Sequence, residues 1–263
     1  MNILIRELRV GVKPFVFWSI GLFFIVFAGM TKYTGFTGEA GVNEIFNAFP
    51  KVVLAVFGMV DLDPTTLGGF YAILVYYGII ISIIYSISLG SNAVNRESID
   101  KTYEFIFTKP RSRAYIYNVK MISATIYISL FCILNYVFSI ASIQTLKIDN
   151  TISTEILYFT VAMWIVSMLF CTSAALFSSI FVKPEKGILI SNLMFLMTFL
   201  IGMSYDIFEK ASYLRFFAPL KYFLPSEILS GKVNLLFILL CLTLTVVFYT
   251  TASKTFVKKD LLA

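Results

Sequence analysis

The stretch with the most chemically informative residue types is NRESIDKTYEFIFTKPRSR, residues 95–113. Glu97 and Lys101 are four apart, as are Asp100 and Glu104, so a helix here would show a mixed-charge face supported by one favourable pair. Ile99, Tyr103, Phe105, Ile106 and Phe107 make the stretch too apolar for a merely solvated loop. A short helix docking on a membrane, a partner or both fits that composition. An ordinary basic loop between spans is the alternative reading.

Bond-making chemistry has few candidates. The chain has no histidine, which excludes metalloproteases of the HExxH kind and intramembrane serine proteases using a Ser-His pair. No G-x-x-x-x-G-K-[ST] motif occurs, so nucleotide phosphates cannot be cradled in the P-loop way. Cys132, Cys171 and Cys241 fall separately within apolar runs and read as small packing residues, not as a disulfide framework or zinc site. Asn135, Asn192, Thr172, Ser173, Ser178 and Ser179 are polar but neutral, suited to hydrogen bonding and close packing between helices, with substrate contact as the alternative. No charge falls near the middle of an apolar run, and Lys120 sits near enough to the end of its run to snorkel to water. That placement argues against proton relays, ion-coupled carriers, voltage sensors and intramembrane aspartyl proteases.

Composition explains what must position these residues. Hydrophobic residues make up 59% of 263 and charged residues 14%, with a mean hydropathy of +0.86, against roughly 45–50% and 25% in soluble domains. Charges gather between long uncharged runs, the pattern that lipid imposes. We therefore expect an all-α integral membrane protein, one membrane domain over 1–263, with six spans at about 14–31, 70–91, 115–142, 156–182, 187–204 and 233–253. The first run lacks a small-residue cleavage site after it and reads as a retained span. Lys183-Pro184-Glu185-Lys186 makes the fourth and fifth spans antiparallel neighbours. With both termini in the cytoplasm, 14 of the 21 Lys and Arg lie in inner segments and seven in outer ones, as the positive-inside rule favours. The net charge of +6 then reflects topology and anionic lipid and not nucleic acid.

Three further segments stand out. Residues 1–12 place Ile3, Leu4 and Leu8 against Arg6, Glu7 and Arg9 at helical spacing, predicting a short amphipathic helix on the membrane surface, with a frayed tail as the alternative. Between the first two spans, 42–59 carries an apolar stripe suited to the outer interface. Before the sixth span, 205–232 is aromatic and broken by Pro219 and Pro225, which predicts a helical hairpin dipping into the outer leaflet.

At 95–113 the sequence resembles a permease subunit of the ABC type-2 exporter family. The family pattern has an acidic residue after the second span, a K/G-T-x-E element, Pro-x-x-Arg, and a basic residue early in the third span. Here these are Glu97, Lys101-Thr102-Tyr103-Glu104, Pro110-Arg111-Ser112-Arg113 and Lys120. FPKVVLAVFG, DLDPTTLGGF, APLKYFLPSEILSGK and the closing FVKKDL agree with it, so the resemblance covers almost the whole chain.

The resemblance implies an elbow helix at the start, a cytoplasmic coupling helix between the second and third spans, and a re-entrant exit-side segment containing Pro219, Lys221, Tyr222 and Pro225. It assigns Glu97, Lys101, Thr102, Glu104, Pro110, Arg111 and Arg113 to coupling with separate ABC ATPase subunits. Those subunits would hold ATP and Mg²⁺; no cofactor is expected in this chain. It also implies a second permease subunit, identical or paralogous, in a bacterial plasma membrane. Uncharged spans rich in Phe and Met suit hydrophobic or amphipathic cargo such as peptides, antibiotics or lipids. The alternative is a carrier, channel or membrane scaffold that needs no ATPase.

Overall fold

Six helices are long and apolar enough to cross a membrane in the computed structural model, which describes residues 3–37, 46, 48–100, 111–146, 152–208 and 211–259. They run Ile3–Gly35, Leu67–Ile99, Arg113–Leu146, Ser153–Ile180, Pro184–Ile207 and Leu235–Lys258. All six expected spans are present, most of them longer than expected. The reason is local. Thr66 accepts from the amide of Gly69 and caps the second span early. Pro184 occupies the first turn of the fifth, where its missing N–H costs nothing, so this residue begins a helix instead of merely ending one. Asn234 caps the sixth by accepting from Leu236.

The spans differ sharply in burial. In the most apolar window of each, 78% of the fourth and 61% of the second span are covered by protein, against 17% of the first, fifth and sixth. The second and fourth therefore form the centre, and the others offer broad apolar faces outward. Lipid tails are as apolar as leucine, so this centre is held by close packing and interhelical hydrogen bonds. Gly90 shows how close: a Cβ there would lie 2.0 Å from the carbonyl oxygen of Cys171. Ser82 bonds Ser167 at 2.7 Å, Tyr71 bonds Ser139 at 3.0 Å, and Trp164 donates to Ser129 at 3.0 Å. Cys132, Cys171 and Cys241 are buried free thiols.

Two expectations change. The amphipathic start is not a separate surface helix: one helix runs from Ile3 through Pro14 into the first span, with a π-helical stretch at Phe24–Ala28. Glu7 is turned inward and buried against Arg96, and the Tyr127 hydroxyl donates to the Leu8 carbonyl, while Arg9 and Lys13 stay exposed. The segment before the sixth span is not a hairpin of two helices. It folds as 3-10 turns at Ser212–Phe217 and Pro219–Lys221 followed by a short α-helix, Pro225–Leu229. Its prolines each open a helical turn and prevent the preceding one from continuing. Of the stripe at 42–59, the structure has a helix at Lys51–Val56, and residues 42–45 and 47 lie outside the described residues.

Candidate functional site

Charged side chains collect at the two ends of the bundle. At the end that carries both termini, the second span continues to Ile99 and is capped at Asp100, eight residues beyond its expected close. Polar residues do not end the helix there because they turn inward to partners. Asn95 is fully buried and Glu97 is only 4% exposed. Glu97 pairs with Lys120 of the third span and lies 3.8 Å from Arg6 of the first. Arg96, one residue earlier, pairs with Glu7 at 2.7 Å.

Lys120 therefore does not snorkel. It is 2% exposed, because reaching for water would leave the buried Glu97 carboxylate with only Arg6, 3.8 Å away.

Lys259, just past the sixth span, closes the same end. Its ammonium donates to Asn95 Oδ1 at 3.2 Å and to the Ser178 carbonyl at 2.7 Å. Ser178 lies in the last turn of the fourth span, whose carbonyls lack helical partners and carry the negative end of the helix dipole. The lysine is thus a C-terminal cap supplied from another helix. Burial pushes its pKa down to about 8, since its acceptors are neutral and desolvation dominates. Arg113, first residue of the third span, donates to the Lys259 carbonyl at 2.8 Å, and the Asn95 amide reaches the Pro184 carbonyl at 3.5 Å. All six spans meet here.

Lys101, Thr102, Glu104 and Pro110 lie outside the described residues. The remaining residues expected to couple to a partner separate into two groups. Glu97 and Arg113 are tied into the bundle, whereas Arg111 is exposed, its guanidinium 5.1 Å from the Tyr115 ring centre.

At the opposite end the segment at 211–232 is organised by two ion pairs. The Arg215 guanidinium grips Glu227 through two bonds of 2.7 and 2.6 Å and also donates to the carbonyls of Lys221 and Tyr222. It lies 4.2 Å over the Phe237 ring. Lys221 is buried and pairs with Asp206 at 2.5 Å, at the close of the fifth span. Tyr222 stacks on Phe237 with ring centres 5.2 Å apart and donates to the Phe216 carbonyl at 2.6 Å; burial pushes its phenol up to about 12. Pro219 and Pro225 each begin a turn of this segment. All four residues expected at this end are thus brought into one folded unit.

Sequence reasoning passed over Glu7, Asp206, Arg215, Glu227 and Lys259 as individual contributors. The usable signal was charge inside aromatic or apolar surroundings, since such groups must be paired. The neutral polar residues behave variously. Asn135 bonds Thr160 and Ser179 bonds Thr255 across helices, while Thr172 and Ser173 bond back to their own helix and Asn192 faces outward. No group of three or more Cys, Asp or Glu able to hold a metal occurs among the described residues.

In comparison with known families, residues 1–261 match the model described as ABC-2 family transporter protein. Among curated proteins, none matches this chain.

Proposed function

This chain belongs to the ABC-2 transporter family, and we propose that it is the permease subunit of an ATP-driven exporter, lining a pathway with a second permease and driven by separate ATPase subunits. The observation that carries this reading is the family match across all six spans, 1–261, in a sequence that has no phosphate-cradling motif. Fuel is handled elsewhere, with ATP and Mg²⁺ in the partner, and the chain itself performs no catalysis. The end bearing the termini faces the cytoplasm of a bacterial cell, in keeping with the distribution of Lys and Arg.

On this reading the 101–110 segment meets the ATPase as a coupling helix. The helix that leads into it holds Glu97, paired to the third span, and the helix that follows it begins at Arg113, bonded to Lys259 after the sixth. A pull on the segment would therefore reach several spans together. ATP shifts the pathway between two states only if the ATPase grips them unequally, and this contact is where the difference enters. The segment before the sixth span forms the exit-side closure, and the cargo is hydrophobic or amphipathic.

Loop variants test the reading while leaving the buried ions intact. Lys101→Glu and Glu104→Lys are expected to abolish co-purification with the ATPase and ATP-dependent transport in proteoliposomes. An undisturbed complex and undisturbed transport would remove the loop from the mechanism. Cargo flux by the purified chain alone, without any ATPase, would overturn the divided machine.

A further inference from the structure

At the end opposite the termini lies a cavity of about 260 Å³, enclosed by the second span, the beginning of the fourth, the close of the fifth and the folded 212–226 segment. Three charged residues line it: Asp61, Asp206 and Lys221. Two carboxylates against one ammonium leave one negative charge in excess. Tyr76, Phe159 and Phe223 give it aromatic surface, aliphatic side chains such as Val75 and Ile79 add to the wall, and Ser212 and Ser226 contribute hydroxyls. Gly58, at φ +68°, lets the chain turn tightly over the Tyr76 ring, where a Cβ would come within 2.5 Å of a ring carbon.

Lys221 is the telling residue. Its ammonium pairs with Asp206 and sits 5.6 Å from the centre of the Tyr76 ring, with both partners of the ion pair almost fully covered. A carboxylate, an aromatic face and an apolar enclosure are the groups that recognise an organic ammonium. Here they are assembled around the protein's own ammonium. That ammonium is delivered from a three-residue 3-10 turn, Pro219–Lys221, whose hydrogen-bond geometry is weaker than that of an α-helix.

We propose that this cavity binds an organic monocation, an ammonium on an apolar body, whose head group competes with Lys221 for Asp206 and so releases the Pro219–Lys221 turn. An anion would meet a wall of net negative charge, two carboxylates against one ammonium. A second cleft of about 570 Å³ shares Val60, Asp61 and Asp206 with this cavity and adds Lys51 and Asp63, so the approach also carries an excess of carboxylate. The assignment deepens the exporter reading by naming a cargo class, and rests on that reading only for the step from binding to transport.

The test is a titration of the full chain in lipid nanodiscs with 2-phenylethylammonium and with its neutral counterpart 2-phenylethanol, read as a saturable shift in thermal unfolding. The cation saturates and the alcohol does not. Lys221→Met, which removes the built-in competitor, tightens the cation about tenfold, and Asp206→Asn weakens it by at least about tenfold, each tenfold step being about 1.4 kcal/mol. Tyr76→Leu weakens it by about threefold or more. Should Asp206→Asn fail to fold, the double variant Lys221→Met with Asp206→Asn removes both buried charges and must not bind the cation. Equal binding of the alcohol, no saturation in either wild type or Lys221→Met, or unchanged affinity on losing Asp206 overturns the proposal. Failure of the ATPase complex would leave this titration unaltered, so the two readings fail separately.

Discussion

The two ends of the bundle both bury ion pairs, yet the pairs do different work. At the end with the termini, the ion pairs Glu7–Arg96 and Glu97–Lys120 and the hydrogen bond from Lys259 to Asn95 join residues 89, 23 and 164 positions apart. They lock different spans together. At the other end, Arg215–Glu227 and Lys221–Asp206 join residues only 12 and 15 apart. They shape one segment and fasten it to the span before it. One end is a plate on which every span is fixed; the other carries a locally folded cover whose ion pairs lie within it or reach only the span before it. On the exporter reading proposed above, the first end is where force would enter and the second where cargo would leave.

Breaking the plate should have the largest consequence. Lys120→Met leaves the buried Glu97 carboxylate only the longer contact with Arg6 and is expected to cost about 3–5 kcal/mol, whereas adding Glu97→Gln to it restores much of the loss. Thermal unfolding of the single and double variants in detergent measures both. If the single variant is as stable as wild type, the plate is not held by this pair.

The Lys259 cap comes next, and its signature is pH dependence. Its pKa falls from an ordinary value of 10.5 to about 8 in the fold. Between those values the unfolded chain holds more protons on this residue, so its contribution to stability rises with pH across about 8 to 10.5, and below about 8 the full cost of burying the ammonium applies. The swing is on the order of 3 kcal/mol at roughly 1.4 per pH unit. Subtracting the stability curve of Lys259→Met from that of wild type isolates it; a difference that stays flat across that window refutes the assignment.

Gly90→Ala probes the packed centre linking the two ends. The added methyl meets the Cys171 backbone, which cannot rotate away, so the second and fourth spans must separate, at a cost of about 1–3 kcal/mol or more. A lowered unfolding midpoint checks it, and an unchanged one would mean the two helices are not in close contact.

The smallest global effect is expected at the cover. Arg215→Met loses bonds to Glu227 and two carbonyls, yet Glu227 retains some access to water, so the loss is about 1–3 kcal/mol and confined to the segment. Hydrogen exchange should speed up over 212–229 while the six spans keep their protection. Exchange spreading into the second and fourth spans would erase the distinction between plate and cover.

Much of the fold was legible because lipid acts on the sequence locally. A span needs length and apolarity, and both can be read residue by residue, so all six were placed and the turn at Pro184 marked two neighbouring spans. The errors fell at the ends. The second span was expected to close near residue 91, ahead of the charged 95–113 segment; inward partners keep Asn95, Arg96 and Glu97 in its helix. Residues 3–12 likewise continue into the first span's helix instead of forming a separate one. In the candidate site, Glu97, Arg113, Lys221 and Tyr222 were identified by family pattern, but what each one touches was not. The folding of 211–232 into 3-10 turns depended on Arg215 finding Glu227 across two prolines, which no short-range periodicity encodes.

By itself the sequence determined how many times the chain crosses the bilayer, where its charged segments fall and that it can hold no nucleotide in the P-loop way, because those properties reside in composition and spacing along the chain. Only the tertiary structure decided which charge meets which. A buried ion is tolerable only beside its partner, and here those partners arrive from helices as far apart as residues 95 and 259.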